Sequence, residues 1–274
     1  MDRNNPMVCL GIICYNYAHF LNEAIESALN QTYKPIEITV INDGSTDNTI
    51  EVAKRYPVKL INQSNQGVAK TMNRFMREVS TSEYCIMLSA DDKFDPTYVE
   101  KTMKMLLENT NISFIYTQSK LFGAEERAVL SPEYNILLLK KENYINGSAL
   151  MKKSHFMQTE GFDSSLKWGE EWDLWLSFAE KGFYGKLLPE PLLLWRRHIT
   201  GSRNTALVKI KQKTRQQIIK KHYKLYASAE LSAERYHYIT SRIHSFGINI
   251  GLRYLWRKSG LKSLWLQIKN ILVT

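Results

Sequence analysis

The chain has 274 residues, enough for one large α/β domain and an appendage, and its 44% hydrophobic and 23% charged residues predict an ordinary packed core. No apolar run approaches the roughly 18 to 20 residues that span a bilayer, which argues against a transmembrane helix. Residues 1–5 lack the layout of a signal peptide, so we expect a cytoplasmic protein.

The net charge of +10 is concentrated at the C-terminal end. Residues 205–274 contain 14 Lys or Arg against 2 Asp or Glu, whereas residues 1–204 contain 23 against 25. We therefore predict a nearly neutral domain over 1–204 and a basic extension over 205–274. Such an extension indicates an anionic partner surface, either membrane lipid or nucleic acid.

Strand-like and helix-like patterns alternate along the first 90 residues. The predicted strands are 8–14, 36–41, 58–61 and 84–88, and the predicted helices between them are 20–31, 45–55 and 67–79. This β-α-β order predicts a parallel sheet with helices on both faces. Its right-handed crossovers bring the carboxyl ends of the strands to one edge.

Polar side chains follow these predicted strands. Tyr15 and Asn16 come after the first strand, Asp43 ends the second, and Asp91 and Asp92 follow the fourth. No glycine-rich dinucleotide fingerprint and no P-loop motif is present, which argues against both kinds of nucleotide site. An aromatic ring and carboxylates can still hold a nucleotide by stacking on the base, accepting its hydrogen bonds and binding a metal.

The two adjacent carboxylates of Asp91 and Asp92 have two interpretations. A hard divalent cation prefers oxygen ligands and bridges well to a diphosphate. Alternatively, the pair belongs to a solvated turn in which Asp92 or Asp95 caps the helix that starts near Pro96. The residues of this turn alone leave both interpretations open.

The second half of the chain has weaker patterns. A helix over 96–107 and a strand over 112–117 are predicted, residues 119–145 show no firm pattern, and a strand covers 192–195. A further helix begins at Glu170 and Glu171 and ends before Gly182. Acids in a first turn suit the helix dipole, but a carboxylate there could also serve as a general base.

Four successive motifs resemble those of glycosyltransferase family 2, the GT-A-fold family of inverting, nucleotide-sugar-dependent enzymes. These motifs are Ile12-Ile13-Cys14-Tyr15-Asn16, Asn42-Asp43-Gly44-Ser45-Thr46-Asp47, Asn65-Gln66-Gly67-Val68-Ala69 and Ser89-Ala90-Asp91-Asp92. The resemblance implies a GT-A fold, with a Rossmann-like, mostly parallel sheet flanked by helices and followed here by the basic helical extension.

The resemblance also implies roles for the first group of polar residues. Tyr15, with Asn16 beside it, would lie against the nucleobase, and Asp43 would bond the base. Asp91 would face the ribose or sugar, and Asp92 would bind Mn²⁺ or Mg²⁺. Many relatives carry Asp where this chain has Ser89, so one carboxylate that could bind a metal is missing.

Further motifs extend the resemblance toward the C-terminus. Gly147 and Ser148 match a small-residue strand that passes beneath the sugar, where glycine leaves room for a ligand. The Gly161-Phe162-Asp163 turn also matches, with Asp163 interpreted as a structural cap. In the Trp168–Trp175 segment, Glu171 occupies the position of the catalytic base, and Glu170 is the alternative. Asp173 falls about 200° further round the helix and should face elsewhere.

The segment after the last predicted strand completes the implied site. Arg196 or Arg197 would contact the diphosphate, and His198 would bind the metal or the diphosphate. Alternatively, His198 is an ordinary surface residue with no role in a binding site.

The basic extension has two interpretations as well. Its tryptophans and interleaved Lys and Arg suit an amphipathic helix on an anionic membrane, which would attach the protein peripherally to the inner face of the cell membrane. It could equally pack on the catalytic domain and expose a solvated basic face. It lacks a base-reading motif, which disfavours nucleic acid.

We therefore expect a metal-dependent inverting glycosyltransferase acting in bacterial surface polysaccharide or glycolipid synthesis, with a glycan or lipid-linked acceptor and a uridine or thymidine donor. Two alternatives remain. The resemblance implies Asp at the positions of both Ser89 and Glu171, and these two departures allow a glycosyltransferase-like binding or scaffold protein with little or no catalysis. A sugar-phosphate nucleotidyltransferase shares the sheet type, but the chain lacks a glycine-rich basic loop after its first strand.

Overall fold

A computed structural model describes residues 5–198 and 208–227. The rest of the predicted basic extension, residues 205–207 and 228–274, lies outside the described residues; it includes most of the two segments expected to be helical, 205–245 and 248–273. The compact unit of the fold runs to Leu225 and so includes the first helix of the extension, beyond the boundary predicted at residue 204.

Four parallel strands form the first half of the sheet, as predicted. They are ordered β3-β2-β1-β4, with β1 at Val8–Cys14, β2 at Ile36–Asp43, β3 at Lys59–Gln63 and β4 at Tyr84–Ser89. Val8 pairs with Ile36 on one side and with Tyr84 on the other. Every residue of β1 is buried, because the strand lies between two neighbours in the sheet and beneath helices on both faces.

Short helices connect these strands. They are α1 (Ala18–Leu29), α2 (Thr49–Ala53) and α3 (Val68–Arg74), and α3 continues into a π-helical turn at Phe75–Val79. The next helix, α4, covers Tyr98–Glu108. In α1 the apolar residues recur every three or four positions, so one face of the helix is buried: Ala18, Leu21, Ala24, Ile25 and Ala28.

The second half of the sheet is mixed. The order continues from β4 through β8 (Leu150–Lys152), β6 (Ile112–Gly123), β9 (Tyr184–Arg197) and β5 (Lys93–Phe94), and β7 (Arg127–Val129) pairs with β6. The β8 strand runs antiparallel to both β4 and β6, whereas β6 and β9 are parallel. The α/β fold class is confirmed, and the sheet is wholly parallel only in its first half.

Two strands are longer than the sequence patterns indicate. The strand predicted at 112–117 extends to Gly123, and the strand predicted at 192–195 begins at Tyr184. Register shifts along their pairing and polar residues buried inside β6, such as Gln118 and Ser119, interrupt the apolar alternation that sequence reasoning relies on.

The remaining helices lie toward the C-terminal end of the described chain. They are α5 (Ile136–Leu139), α6 (Lys153–Phe156), α7 (Glu170–Glu180), α8 (Val208–Lys221) and α9 (Tyr223–Ala227). Among residues 5–198 and 208–227, no helix is long and apolar enough to cross a bilayer. The three cysteines, which we expected from their strand positions to be buried free thiols, are buried and unpaired: Cys9, Cys14 and Cys85.

Candidate active site

The carboxyl edge of the parallel strands brings together polar residues from distant parts of the sequence. Tyr15 and Asn16 follow β1, Asp43 ends β2, and Asp91 and Asp92 follow β4. Because β2, β1 and β4 are parallel neighbours, their carboxyl ends share one edge, as the sequence predicted.

Asn16 joins the first two of these strand ends. Its backbone lies in the left-handed region with φ at 55°, a conformation that Asn tolerates better than most residues. Its Oδ1 accepts a hydrogen bond from the Thr46 amide at 2.8 Å, and its own amide donates to Ser45 Oγ at 3.0 Å. The neighbouring Tyr15 side chain is 47% exposed and is therefore accessible to a ligand.

Asp43 is buried and holds the loop that precedes α3. Its Oδ1 accepts from the Gln63 side-chain amide at 2.7 Å and from the Gln66 backbone amide at 2.9 Å, and its Oδ2 accepts from the Gly67 amide at 3.0 Å. Both oxygens thus shape the segment that begins α3. The predicted bond from Asp43 to a nucleobase stays a prediction.

Arg196 fixes the loop that carries the two aspartates. Its backbone amide donates to Asp92 Oδ1 at 2.8 Å, and its Nε donates to the Asp91 carbonyl at 2.9 Å. A guanidinium terminal nitrogen also pairs with Glu23 Oε1 at 2.8 Å. The Arg196 side chain therefore ties the end of β9 to α1 and to the aspartate turn.

Two aromatic rings enclose the same guanidinium group. Its carbon lies 4.2 Å from the centroid of the Phe20 ring and 4.3 Å from that of Phe122, within the range of a cation–π interaction. Only 12% of the Arg196 side chain is exposed. Arg197 is more accessible, with 36% of its side chain exposed and its Nε 3.8 Å from Glu125.

His198 lies against the first aspartate. Its Nε2 is 2.8 Å from Asp91 Oδ2, and its ring stacks on that of Tyr17 with centroids 5.7 Å apart. The interpretation of His198 as an ordinary surface residue does not fit, because only 16% of its side chain is exposed.

The electrostatics of the aspartate turn favour a cation. Burial and the neighbouring charge of Asp91 raise the pKa of the Asp92 carboxyl well above its usual range, and the bond from the Arg196 amide opposes this only in part. Two carboxylates and an imidazole are a donor set that suits Mn²⁺ or Mg²⁺. Within the described part of the chain, however, no three or more His, Cys, Asp or Glu side chains are already arranged around one metal position.

Ser89, at the position where the family resemblance implies Asp, is a small exposed residue. Ser89 ends β4, its side chain is exposed, and its carbonyl accepts the Asp92 amide at 3.1 Å. Its backbone thus turns the chain at the aspartate pair.

Gly147 and Glu171 are in direct contact. A Cβ built on Gly147 would lie 3.0 Å from Glu171 Cγ and 3.1 Å from its Oε1. Ser148 is buried, and its carbonyl accepts the Tyr98 hydroxyl at 2.7 Å. Glu171 is half-buried, whereas the neighbouring Glu170 is 2% exposed.

Gly147 and Ser148 lie in a turn and not in the predicted small-residue strand, since β8 begins only at Leu150. The β8 strand pairs with β4 in antiparallel fashion, with Met151 opposite Cys85. Glu171 therefore contacts the turn that enters the strand next to β4.

Asp173 faces away from this contact, as its helical position predicts. It is fully buried and binds Lys221, the last residue of α8, and His222, which follows α8. Asp163, interpreted as a cap, accepts hydrogen bonds from the Ser165 amide and hydroxyl.

Sequence reasoning missed several residues that support the site. Glu23, Phe20 and Phe122 surround Arg196, and Tyr17 stacks on His198. Their spacing carries no local signal, since each meets its partner across more than 70 residues. Lys221 and His222 were missed because they lie in the segment that composition assigned to a separate extension.

Sequence comparison identifies the family of the chain. The model of the family described as glycosyl transferase family 2 matches residues 9–161. An uncharacterized glycosyltransferase of Rickettsia prowazekii is 31% identical over 224 residues, covering 76% of this chain and 69% of its own length. The chondroitin synthase of Pasteurella multocida is 27% identical over 195 residues, and the match covers 66% of this chain but 20% of the synthase.

Solved structures share the backbone architecture. TarS of S. aureus (fragment 1-349) in complex with UDP-GlcNAc matches with a TM-score of 0.63 at 13% identity, covering 80% of this chain and 72% of that one. The mannosyltransferase PcManGT from Pyrobaculum calidifontis, in complex with GDP-Man and Mn²⁺, matches with a TM-score of 0.61 at 15% identity, covering 94% and 80%. These likenesses establish the GT-A fold, and with the family match over residues 9–161 they show that the chain belongs to glycosyltransferase family 2.

Proposed function

We propose that this chain transfers a sugar from a nucleotide-diphospho-sugar to an acceptor hydroxyl with inversion at the anomeric carbon. The contact between Gly147 and Glu171 supports the proposal, because it sets a carboxylate beside the turn that enters β8, the neighbour of β4, and Asp91 and Asp92 follow β4. An inverting displacement needs one base on the face opposite the leaving group and no covalent intermediate.

The donor would lie along the carboxyl edge of the sheet. Tyr15 would stack on the base, with Asn16 and Asp43 shaping its surroundings, and Asp91 would face the ribose or sugar. Arg197, the more accessible of the two arginines, would contact the diphosphate. The structures of TarS with UDP-GlcNAc and of PcManGT with GDP-Man support a nucleotide-sugar donor.

Asp92 and His198 would hold a divalent cation, with Asp91 beside them. The burial of Asp92, the contact of Asp91 with His198 and the Mn²⁺ in the PcManGT structure support this assignment. When bound, Mn²⁺ or Mg²⁺ would neutralise the charge that develops on the leaving diphosphate.

Glu171 would act as the general base. The acceptor hydroxyl loses its proton to the Glu171 carboxylate as its oxygen bonds to the anomeric carbon. The bond from that carbon to the diphosphate oxygen breaks, and the nucleoside diphosphate leaves with the electron pair. The absence of a side chain at Gly147 leaves room for the Glu171 side chain, since a Cβ there would lie 3.0 Å from Glu171 Cγ.

The acceptor is expected to be a glycan or a lipid-linked glycan in polysaccharide or glycolipid synthesis. The similarity to the chondroitin synthase of Pasteurella multocida supports a polysaccharide product. Since this chain covers only about a fifth of that synthase, the similarity concerns a transferase domain and not its whole activity.

The test is to incubate the full chain with Mn²⁺ and a panel that includes UDP-GlcNAc, UDP-glucose and GDP-mannose, and to assay release of nucleoside diphosphate. We expect release with one donor class and its loss in excess chelator. Absence of both release and metal-dependent nucleotide binding would contradict the proposal. Binding without release would favour the alternative of a binding or scaffold protein.

The proposal also includes an anionic membrane as partner of the basic residues 205–274, on the strength of their composition. We expect the full chain to co-sediment with vesicles rich in phosphatidylglycerol and not with phosphatidylcholine vesicles. A full-length variant with Arg253, Arg257, Lys258, Lys262 and Lys269 changed to Gln should lose this binding. Equal binding of both proteins would reject the membrane partner.

A further inference from the structure

Helix α8 packs on the turn that begins α7. Gly169, the residue before Glu170, has a φ of 79°, in the left-handed region that favours glycine. A Cβ at this position would lie 3.3 Å from Ile218 Cδ1, and Ile218 is fully buried. The start of the helix that bears Glu170 and Glu171 is therefore covered by α8.

A charge network fastens the two helices. Asp173, fully buried in the first turn of α7, accepts from Lys221 Nζ at 2.8 Å through Oδ2 and lies 3.0 Å from His222 Nε2 through Oδ1. Each oxygen of this carboxylate thus has one partner, either Lys221 at the end of α8 or His222 directly after it. Such a pair is costly to break, because removing one partner leaves a buried charge without compensation.

Further charged groups surround these two cationic side chains. His222 Nδ1 lies 3.1 Å from Glu180 Oε1, without the alignment of a hydrogen bond, so His222 lies between two carboxylates of α7. Lys221 also lies 3.2 Å from Asp163 and 3.5 Å from Glu160, in the turn preceding α7. Acidic side chains of α7 and of the turn before it therefore surround Lys221 and His222.

A second set of contacts lies on the other side of this turn. Arg215 donates to the Lys141 carbonyl, and its guanidinium carbon lies 5.4 Å from the Trp172 ring centroid. Trp172 Nε1 in turn donates to the Leu139 carbonyl at 2.6 Å. Residues 139–141, the first turn of α7 and α8 are therefore joined in one packed unit.

We propose that Lys221 and His222 are positioning residues that, through Asp173, hold the first turn of α7 so that Glu171 keeps its place beside Gly147. The inference rests on the proposed role of Glu171 as base. Neither Lys221 nor His222 is assigned a contact with substrate. Their effect on catalysis is geometric, since a displacement of about 1 Å at a catalytic group can cost about a hundredfold in rate.

The first test compares Lys221→Met with Lys220→Met, a neighbouring exposed lysine of the same helix. The full chain is assayed for nucleoside diphosphate release with UDP-GlcNAc and GDP-mannose in Mn²⁺. We expect Lys221→Met to lower kcat at least about tenfold with the donor KM within about twofold, and Lys220→Met to match wild type. Lys221→Arg, which keeps the positive charge, should retain most of the wild-type kcat.

Hydrogen–deuterium exchange of the amides of α7 gives a readout that does not depend on activity. We expect faster exchange over residues 173–177 in Lys221→Met and in His222→Asn, and unchanged exchange in Lys220→Met. If Lys221→Met does not fold, His222→Asn provides the same comparison, because it removes the other partner of Asp173.

The outcomes separate this inference from the proposed function. If wild type turns over a donor and both Lys221→Met and His222→Asn keep its kcat, the positioning role is overturned. It is also overturned if hydrogen–deuterium exchange over residues 173–177 is the same in these variants as in wild type, whether or not any donor is turned over. No turnover by wild type together with faster exchange in the variants counts against the proposed function and supports the link between α8 and α7.

Discussion

Gly147 faces Glu171 so closely that a methyl group added at residue 147 would lie 3.0 Å from Cγ of the glutamate. Contacts this short are rare for a Cβ atom, so one of the two residues would have to move. The absence of a side chain at 147 therefore sets where the Glu171 carboxylate can lie.

Gly147→Ala should impair catalysis more than folding. Its backbone is outside the left-handed region, so alanine introduces steric pressure on Glu171 without backbone strain. We expect kcat for nucleoside diphosphate release to fall about tenfold to a hundredfold and the thermal midpoint to change by only a few degrees. Wild-type kcat in a folded Gly147→Ala protein would falsify the steric coupling.

Glu171→Gln tests the base directly. The amide keeps the size of the side chain but cannot accept the proton, so transfer should fall by about 10² to 10⁴ while the fold remains intact. Glu108→Gln, at an exposed residue at the end of α4, is the matched control and should keep wild-type transfer. If Glu170→Gln is inactive and Glu171→Gln is active, the role passes to Glu170.

Arg196→Lys should weaken metal use at the aspartate turn. Lysine cannot reproduce the planar fork that reaches both the Asp91 carbonyl and Glu23, nor the stacking between Phe20 and Phe122. We expect the Mn²⁺ concentration for half-maximal turnover to rise about tenfold to a hundredfold. Arg127→Lys, a substitution at an exposed arginine, serves as the control. Identical Mn²⁺ curves for Arg196→Lys and wild type would rule out this supporting role.

The stability of the protein should depend on the protonation of His222. Burial lowers the pKa of its imidazole, but the hydrogen bond and charge of Asp173, with the charge of Glu180, outweigh burial and raise the pKa above its ordinary value of 6.5. A raised pKa in the folded state means that the stabilisation is complete below the unfolded-state pKa and is lost as pH rises through the folded-state value.

Urea unfolding between about pH 6 and pH 9 measures this effect. The free energy of unfolding of wild type should fall with rising pH more steeply than that of His222→Asn, by at most about 1.4 kcal/mol per pH unit for one proton. The two curves should run parallel at the alkaline end. Parallel curves over the whole range would show that His222 binds its proton equally in both states.

Local sequence patterns were sufficient for the first half of the fold. Continuous apolar runs such as Val8–Cys14 predicted the strands correctly, because a strand buried on both faces needs apolar residues throughout. The β-α-β order then predicted which strand ends meet, and so the edge that carries Asp43 and Asp91. The second half was less predictable, since β6 and β9 pair with register shifts and β6 buries polar residues.

The sequence by itself determined the family, the succession of parallel strands along the chain and the group of residues at their carboxyl edge. Only the tertiary structure decided how those residues are held. Arg196 meets Asp91 and Glu23, and Asp173 meets Lys221, across sequence separations of 48 to 173 residues. Contacts of this kind depend on how whole helices and strands pack against each other, and the spacing of residues within a local motif does not predict them. For the same reason composition separated α8 from the catalytic domain, whereas the buried Asp173 on α7 is paired with Lys221 at the end of α8 and with His222 directly after it.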